Sequence, residues 1–424
     1  MSTIFAVSSG QPPAAIAVLR ISGLRAGSVL AALSGELPKA RQASLRAIRD
    51  EDGKLLDRAL VLWFPGPETA TGEDLAEIHL HGARAVIAAV EVALAAIEGV
   101  RRAEPGEFTR RAFANGRIDL AEAEGLADLL LAETELQRRS ALELAEGRLS
   151  HKVEDWRERL LLLGAAIEAV LDFDDEDDVG GMPDNFLDQI NGLAMEIDDL
   201  AASPAAETLK EGFRVVLAGP PNVGKSTLFN ALTESEAAIA TPTAGTTRDV
   251  LVKPVALAGI PFSFVDTAGL HEQVSDEVER IGVSRARSEL ERADLVLWLG
   301  TEGEGPQACW EIDAQIDLPD HSAKTGPAHS VSAVTGQGIV ELRQSLIDHA
   351  DQHMPKPGQL AINARQRALL GEALAALQGM DDHGDPLVLA EHLRVARSAF
   401  DRLTGRASTE DMLDALFGRF CIGK

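Results

Sequence analysis

The segment Phe213-Arg-Val-Val-Leu-Ala-Gly-Pro-Pro-Asn-Val-Gly-Lys-Ser226 joins an apolar strand to a glycine-rich loop. Its second half fits the pattern G-x-x-x-x-G-K-[ST], and the residues after it predict a helix. Glycines in such a loop let backbone N–H groups wrap phosphates, and the helix N-terminus adds partial positive charge. We expect Lys225 to bridge the β- and γ-phosphates of a nucleotide and the Ser226 hydroxyl to bind Mg²⁺.

Further apolar runs around this loop predict strands over residues 250–257, 261–265, 295–299 and 328–332, with helices between them. This pattern indicates a doubly wound α/β domain over residues 211–351. The flanking residues 119–210 and 352–424 are rich in Ala, Leu, Glu and Arg with few helix breakers, which predicts one helical domain interrupted by the α/β insert. Residues 1–118 mix short apolar runs with Gly and Pro, which predicts an α+β domain.

Composition excludes several classes of protein. The 424 residues correspond to about three domains at roughly 150 residues each. Hydrophobic residues make up 45% and charged residues 25%, which is typical of globular chains and argues against global disorder. The net charge of −27 argues against a chain that coats nucleic acid by itself, because that requires clustered Lys and Arg. Two cysteines, no apolar run of about 18 residues and no secretion signal predict a cytoplasmic protein without a membrane span.

Three motifs accompany the phosphate-binding loop in the order that GTPases use. Asp266-Thr-Ala-Gly269 ends a predicted strand, where Asp266 can hold Mg²⁺ through water and Gly269 can sense the γ-phosphate. Thr243-Ala-Gly-Thr-Thr247 precedes it as a switch-like loop, with Thr247 as a second Mg²⁺ ligand. Ser332-Ala333, after the last strand, suits a loop that contacts guanine. Together these motifs predict a GTPase.

The catalytic set lacks two parts. Leu270 occupies the position where Ras-like enzymes carry the glutamine that orients water, and no basic finger is evident.

The Asn-Lys-x-Asp tetrad that reads guanine is also missing from the sequence. The best positional match is Ala314-Gln-Ile-Asp317, which keeps the carboxylate, and the alternative is that Asp317 is an ordinary surface residue. Residues 301–327 are short and rich in Gly, Pro and acids, so we expect a partly remodelled loop.

Outside the GTPase motifs, the chain carries Leu19-Arg-Ile-Ser-Gly23, Phe64-Pro-Gly-Pro67, Thr71-Gly-Glu-Asp74, Glu104-Pro-Gly-Glu-Phe-Thr109, Arg111-Ala-Phe113, Asp119-Leu-Ala-Glu-Ala-Glu124 and Cys421-Ile-Gly-Lys424. With the GTPase motifs, these residues give the whole chain a resemblance to the MnmE (TrmE) family of tRNA-modifying GTPases. It implies a multidomain α/β and α fold with an N-terminal α+β folate-binding domain that also dimerises. A central helical domain and an inserted Ras-like G domain complete that fold.

The resemblance also implies a function. With an FAD-dependent partner of the MnmG type, in a heterotetramer, the homodimer would add an aminomethyl or carboxymethylaminomethyl group to C5 of the wobble uridine of certain tRNAs. The one-carbon donor would be a 5-formyl or 5,10-methylene tetrahydrofolate, and tRNA would be held mainly by the partner. In the family, K⁺ substitutes for an arginine finger and G-domain pairing activates hydrolysis.

Site residues follow from the motifs and from the resemblance. The residues expected to bind GTP are Asn222, Val223, Gly224, Lys225, Ser226, Thr227, Thr241, Pro242, Thr243, Ala244, Gly245, Thr246, Thr247, Asp266, Thr267, Ala268, Gly269, Asp317, Ser332 and Ala333. The K⁺ ligands would be Asn222, Thr241, Thr243 and Thr246, the Mg²⁺ ligands Ser226 and Thr247, and the folate contacts Arg20, Glu77, Arg117 and Lys424. Catalytic candidates are Glu279, which matches the family's water-positioning glutamate, Lys225 and Cys421.

Three alternatives stay open at this point. Glu77, His79 and His81 alternate along a predicted strand, so they fit a metal triad as well as a structural or folate-domain role. Cys421 fits a nucleophile or a small apolar side chain. The chain as a whole fits a ribosome-assembly GTPase switch, although a second G domain or an RNA-binding appendage, which that class would carry, is not evident in the sequence.

Overall fold

The computed structural model describes residues 2–172, 185–234, 251–267, 287–356, 358–380, 385–407 and 409–423. Its contacts divide the chain into two compact units. Unit 1 comprises Met1–Ala127, Leu144–Arg157 and Ser398–Lys424, and unit 2 comprises Asp128–Glu143 and Glu158–Arg397. The predicted fold class, α/β and α with a doubly wound sheet, is confirmed. The exact domain limits given above stay predictions.

The strands and helices are numbered in chain order. The strands are β1 Thr3–Val7, β2 Ile16–Ser22, β3 Ser44–Arg49, β4 Leu55–Phe64, β5 Leu75–His81, β6 Val100–Arg102, β7 Phe213–Ala218, β8 Leu251–Leu257, β9 Ile260–Asp266, β10 Leu295–Trp298, β11 Trp310–Ala314 and β12 His329–Val331. The helices are α1 Ala26–Ser34, α2 Arg84–Ala95, α3 Glu107–Ala114, α4 Leu120–Leu131, α5 Glu135–Ala145, α6 Arg148–Asp172, α7 Phe186–Ala201, α8 Ala206–Glu211, α9 Lys225–Thr233, α10 Ile339–His353, α11 Ala364–Gln378, α12 Pro386–Thr404 and α13 Glu410–Phe417.

Unit 1 contains a six-stranded sheet in the order β3-β4-β5-β2-β1-β6. Every pair is antiparallel except β1 with β6. Because side chains alternate along a strand, Leu19 and Ile78 face the core with α1 and α2, whereas Arg20 and Glu77 lie on the opposite face. Arg20 is directly opposite Glu77 in the register of β2 and β5. The sheet therefore places two charged residues side by side.

Unit 2 contains a second six-stranded sheet in the order β12-β11-β10-β7-β9-β8. Its pairs are parallel except β8 with β9. The central strands read as continuous apolar runs, as expected for a sheet covered on both faces, and every residue of β9 is buried. Helices α9 and α10 cover one face through Leu228, Leu232, Leu342 and Leu346. The carboxyl ends of the parallel strands β7, β9, β10, β11 and β12 share one edge, where ligands bind in such sheets.

The helical part of unit 2 forms by amphipathic packing. Ile190, Leu193, Ile197 and Leu200 recur at helical spacing on α7 and are buried, and α7 packs against α11. Helix α11 begins with a capping box in which Asn363 accepts a bond from the Gln366 backbone and Gln366 accepts one from Asn363. Among the described residues, no helix combines the length and the apolar character needed to cross a membrane.

The structure differs from the sequence-based expectation at β11. The stretch 301–327 was expected to be a loop, but residues 310–314 form a strand parallel to β10 and β12. Its five residues alternate between apolar and acidic side chains, which is the strand period, but this alternation is short and lies in a stretch rich in Gly, Pro and acids. The connections 299–309 and 315–328 on either side of it contain no helix, contrary to the expectation of helices between all strands.

Candidate functional site

The phosphate-binding loop lies between β7 and α9, at the carboxyl edge of the second sheet. Gly219 has φ of +145°, and a Cβ on it would lie 3.0 Å from the Gly300 backbone nitrogen. Gly224, with φ of +91°, precedes the first residue of α9. Asn222 also takes a left-handed conformation, with φ of +67°. Both glycines are required here, one by the neighbouring backbone and one by its conformation.

Lys225 begins α9 and turns back over the loop. Its Nζ donates to the carbonyl oxygens of Gly219 at 2.9 Å and Pro220 at 2.7 Å, and the residue is only 3% exposed. Burial lowers the pKa of Lys225, and the nearby Asp266 carboxylate acts in the opposite direction. A cation that is partly desolvated in this way interacts strongly with phosphate, because solvent screens it less.

The Ser226 hydroxyl donates to the Asp266 carboxylate over 2.6 Å. Asp266 is 1% exposed, ends β9 and lies beside Leu217 of β7 in the parallel register. The next residue, Thr267, donates from its hydroxyl to the Leu217 carbonyl at 2.8 Å and so fixes the turn after the strand. A hydroxyl and a carboxylate oxygen are the donors that Mg²⁺ prefers, so the residues present fit that ion.

The loops predicted to contact the base meet on the other side of the phosphate-binding loop. A small pocket between them is lined by Gly224, Thr227, Leu228, Ala314, Gln315, Asp317, Leu318, Val331, Ala333 and Val334. Ser332 is fully buried and its Oγ accepts from the Thr335 backbone, which shapes the last loop. Asp317 is exposed at the rim of the pocket. The structure thus brings together four predicted positions from three separate stretches: Gly224, Thr227, Asp317 and Ala333.

Gln315 joins these loops, and sequence reasoning did not identify it as a site residue. Its Nε2 donates to the Asn222 carbonyl at 3.3 Å, and its Cγ lies 3.2 Å from where a Cβ on Gly224 would be. Gln315 itself is left-handed, with φ of +60°. The available signal was its place in the Ala314-Gln-Ile-Asp317 segment, at the position where the tetrad has Lys.

Several predicted site residues lie outside the described part of the chain. They are Thr241, Pro242, Thr243, Ala244, Gly245, Thr246, Thr247, Ala268, Gly269, Glu279 and Lys424. Their roles in Mg²⁺, K⁺, water and folate binding stay predictions.

In unit 1, Arg20 and Glu77 form the centre of a second candidate site. The Arg20 Nε and the Arg20 Nη2 donate to the Glu77 Oε1 at 3.1 and 2.9 Å. His79 lies 3.3 Å from the other Glu77 oxygen. Arg117 is not in contact with that pair: it reaches Glu68 at 3.3 Å and packs beside Gly72. The loop that carries Glu68 and Gly72 is held against β2, because the Ser22 and Thr71 hydroxyls are hydrogen-bonded over 2.8 Å.

The C-terminal segment packs on the same unit. The Ser8 hydroxyl donates to the Gly423 carbonyl at 2.8 Å, and Ile422 forms a β-bridge with Pro105. Gly423 has φ of +95°, and a Cβ on it would lie 2.2 Å from the Val7 carbonyl oxygen, so only glycine fits. Val7 pairs with Leu19, the residue before Arg20. Cys421 is exposed.

The metal-triad alternative for Glu77, His79 and His81 receives no support from the structure. His81 turns to Asp57, with Nδ1 2.7 Å from its carboxylate, so only Glu77 and His79 are paired with each other. Across the described residues, no group of three His, Cys, Asp or Glu side chains has the arrangement needed for a metal ion.

Comparison with known proteins identifies the family. The model of the GTP-binding protein TrmE N-terminus matches residues 3–117, and the model of the MnmE helical domain matches residues 120–421. The chain belongs to the MnmE family. It is 62% identical to the tRNA modification GTPase MnmE of Erythrobacter litoralis, with 100% of both chains covered. Identity to the protein of the same name from Novosphingobium aromaticivorans is 58%, over 100% of this chain and 99% of that one. For Sphingopyxis alaskensis it is 54%, over 96% and 100%.

Proposed function

We propose that this MnmE-family chain hydrolyses GTP within a complex that modifies C5 of the wobble uridine in certain tRNAs. The group added would be aminomethyl or carboxymethylaminomethyl, with its carbon from 5-formyl or 5,10-methylene tetrahydrofolate. The observation that carries the proposal is the contact between Ser226 and Asp266 beside the buried Lys225, at the mouth of a complete phosphate-binding loop. The relatives that match the whole chain are named tRNA modification GTPases, which supports the tRNA substrate.

GTP hydrolysis would proceed by positioning and charge stabilisation, since phosphoryl transfer requires little covalent chemistry from the protein. Lys225 would hold the β- and γ-phosphates, and the loop's N–H groups would donate hydrogen bonds to the phosphate oxygens. Ser226 and Thr247 would hold Mg²⁺ directly and Asp266 would hold it through water, and the ion supplies further neutralisation of the phosphate oxygens when bound. Glu279 would orient the attacking water, because Leu270 cannot do so.

A monovalent cation would complete this charge stabilisation. We place K⁺ at Asn222 with Thr241, Thr243 and Thr246, and we expect pairing of two G domains to close the switch loop over it. The backbone of Asn222 supports this role. Its φ of +67° lies in the left-handed region, which residues other than glycine seldom adopt, and Gln315 donates a hydrogen bond to its carbonyl oxygen.

Folate would bind in unit 1 on the sheet face that carries Arg20 and Glu77, with Arg117 and Lys424 as further contacts. A guanidinium and a carboxylate at 2.9 Å offer donors and acceptors to a pterin ring and its glutamate tail. The C-terminal segment approaches this region through Ser8 and Val7. The exposed Cys421, three residues before Lys424, would then be near the one-carbon unit.

The same sheet face supports the proposed homodimer. It exposes apolar side chains that the helices of this unit do not cover: Ile16 is 58%, Leu45 63% and Leu60 45% exposed. Leu45 and Leu60 are directly opposite each other on β3 and β4. Exposed apolar groups that adjoin a polar centre are typical of protein interfaces.

Since the chain carries a net charge of −27, an FAD-dependent partner of the MnmG type would supply most of the basic surface for tRNA, in a cytoplasmic heterotetramer.

The decisive experiment is mass spectrometry of the wobble uridine in tRNA from a deletion strain. We expect the modified nucleoside to disappear and to return with the wild-type gene but not with Asp266→Ala. Unchanged modification in the deletion strain, with abnormal ribosome profiles, would support the ribosome-assembly alternative and overturn the proposal.

A further inference from the structure

Two connections between parallel strands of the second sheet contain no helix. Parallel neighbouring strands are ordinarily joined by a crossover of a dozen or more residues that contains a helix. Here the connections 299–309, from β10 to β11, and 315–328, from β11 to β12, contain none, and both are fully described. The second of these connections begins with Gln315 and carries Asp317. A loop, rather than a packed helix, therefore presents the residues of the base pocket.

Strand β11 carries two acidic residues on the side that faces away from α10. Ile312 is fully buried in the core that contains Leu342 and Leu346 of α10. Glu311 and Asp313 alternate with it and so face the opposite side of the sheet. Asp313 is 5% exposed and the Glu311 side chain 18%. Carboxylates in such surroundings require partners, because an unpaired buried charge is strongly destabilising.

The connection 315–328 supplies both partners. The Lys324 Nζ lies 2.5 Å from the Glu311 carboxylate and donates to the Trp298 carbonyl at 3.1 Å. The Lys324 side chain is 9% exposed, which is rare for lysine. His321 Nε2 lies 3.1 Å from the Asp313 carboxylate. Lys324 thus ties the connection to β10 and to β11 at once.

The two connections are also tied to each other. The second oxygen of Glu311 accepts from the Gly303 backbone at 3.0 Å. Glu302 accepts from the Thr325 and Gly326 backbones at 2.7 and 2.9 Å, and these bonds lower its pKa. Both residues next to Lys324 on its C-terminal side are therefore held, as is its side chain. The connection is thus held by the buried Lys324 ammonium and by the two backbone N–H groups that follow it.

We infer that Lys324 is a positioning residue for nucleotide binding, because it holds the connection that presents Gln315 and Asp317 to the phosphate-binding loop. This inference rests on the proposed role of that connection in holding the base. Lys324 itself contacts β10, β11 and its own loop, so it acts through Gln315 and Asp317. Without its ammonium, the loop gains conformational freedom that nucleotide binding must then remove.

The test uses the full-length chain and a fluorescent N-methylanthraniloyl GDP as probe. If Lys324→Met leaves the loop in its binding arrangement about a tenth of the time, the apparent affinity falls about tenfold. We expect kcat at saturating GTP to stay within about twofold and KM to rise with the loss of affinity. Lys324→Arg keeps the charge and should restore most of the affinity. The matched control is Lys356→Met, which breaks an equally short but exposed pair with Asp351.

A second variant guards against misfolding. Lys324→Met with Glu311→Gln removes the pair without leaving a buried charge, and it should also bind the probe about tenfold more weakly. Probe affinity within twofold of wild type in either variant would overturn the inference. An equal loss of kcat and affinity, with a collapsed melting temperature in both variants, would also overturn it. Asp317→Asn separates the two proposals. If this variant keeps the wild-type preference between guanine and xanthine nucleotides, Asp317 does not read the base. The role of Lys324 is then judged by the probe affinity of its own variants.

Discussion

Gln315 and Asn222, which are 93 residues apart, are joined by a hydrogen bond of 3.3 Å from a side-chain amide to a backbone carbonyl. The bond connects the segment that replaces the guanine-reading tetrad to the left-handed residue of the phosphate-binding loop. The proposed base pocket and the phosphate-binding loop are therefore connected through an uncharged side chain, where the tetrad would place lysine.

The first prediction concerns that bond. Gln315→Ala should weaken GTP binding roughly fivefold, because one hydrogen bond contributes about 1 kcal/mol. Gln315→Lys should lose less, since the longer side chain can donate to the same carbonyl and keeps its aliphatic stem on Gly224. Isothermal titration calorimetry measures both. Gln344→Ala, which removes an exposed glutamine bond to Asp348, is the matched control. Equal affinities for Gln315→Ala and this control would contradict the prediction.

The second prediction concerns the base. An Asp317 carboxylate that reads guanine accepts from the ring N–H and from the exocyclic amine, and leaving a buried acceptor unpaired costs about 1–3 kcal/mol. GTP should be preferred over ATP, with lower affinity than in relatives that have the full tetrad. Asp317→Asn should shift preference toward xanthine nucleotides, whose ring carbonyl suits an amide donor. Competition binding with GTP, XTP and ATP tests this. A variant that binds GTP and XTP as the wild type does would show that the base is held some other way.

The third prediction concerns the cation and the water. Hydrolysis should be much slower in Na⁺ than in K⁺, because the proposed K⁺ would take the place of a basic finger. Glu279→Ala should reduce kcat by roughly two orders of magnitude, the scale of one positioned catalytic group, with little change in GTP affinity. Steady-state kinetics in matched K⁺ and Na⁺ salts measure both effects on the rate. Light scattering measures the association of two chains. Identical rates in the two salts would refute the K⁺ site.

The fourth prediction separates the two activities. Deletion of residues 421–424 should abolish tRNA modification and leave GTP hydrolysis near normal. Gly423→Ala should have the same effect, because its Cβ would lie 2.2 Å from the Val7 carbonyl oxygen and displace the segment. Gly53→Ala is the control: it has a similar φ of +79° but nothing within 4 Å, so it introduces strain without a clash. Loss of both activities would instead indicate a purely structural tail.

The fifth prediction concerns acid. His349 packs against Phe213 and Trp310 with ring centroids 5.7 and 5.3 Å away, and burial with the nearby His353 lowers its pKa. Burial also lowers the pKa of His329. Since the folded state disfavours the charged forms, the unfolded chain takes up protons first as pH falls below about 6.5, and stability declines there. Thermal melts between pH 7.5 and 5.5 should show this decline. His349→Asn should flatten it, whereas His81→Asn, outside the ring cluster, should not.

Much of the nucleotide site was predictable because its chemistry is contiguous. The residues of 219–226 carry their own conformational requirements, and Asp266 ends a short apolar run of the kind that predicts a buried strand. β11 was not predicted, because its alternation of apolar and acidic residues spans only five positions in a stretch otherwise rich in Gly, Pro and acids. Its charges make sense only beside Lys324 and His321, which come from the connection that follows it.

The sequence by itself determined the phosphate-binding loop, the order of the GTPase motifs and the family, because each depends on residues that are adjacent in the chain. Only the tertiary structure decided which distant groups meet. Ser8 and Gly423, 415 residues apart, are joined by one hydrogen bond, and Arg20 faces Glu77 because of the register between β2 and β5. Register, crossovers and left-handed turns set these distances, and they depend on how whole elements pack rather than on any local pattern.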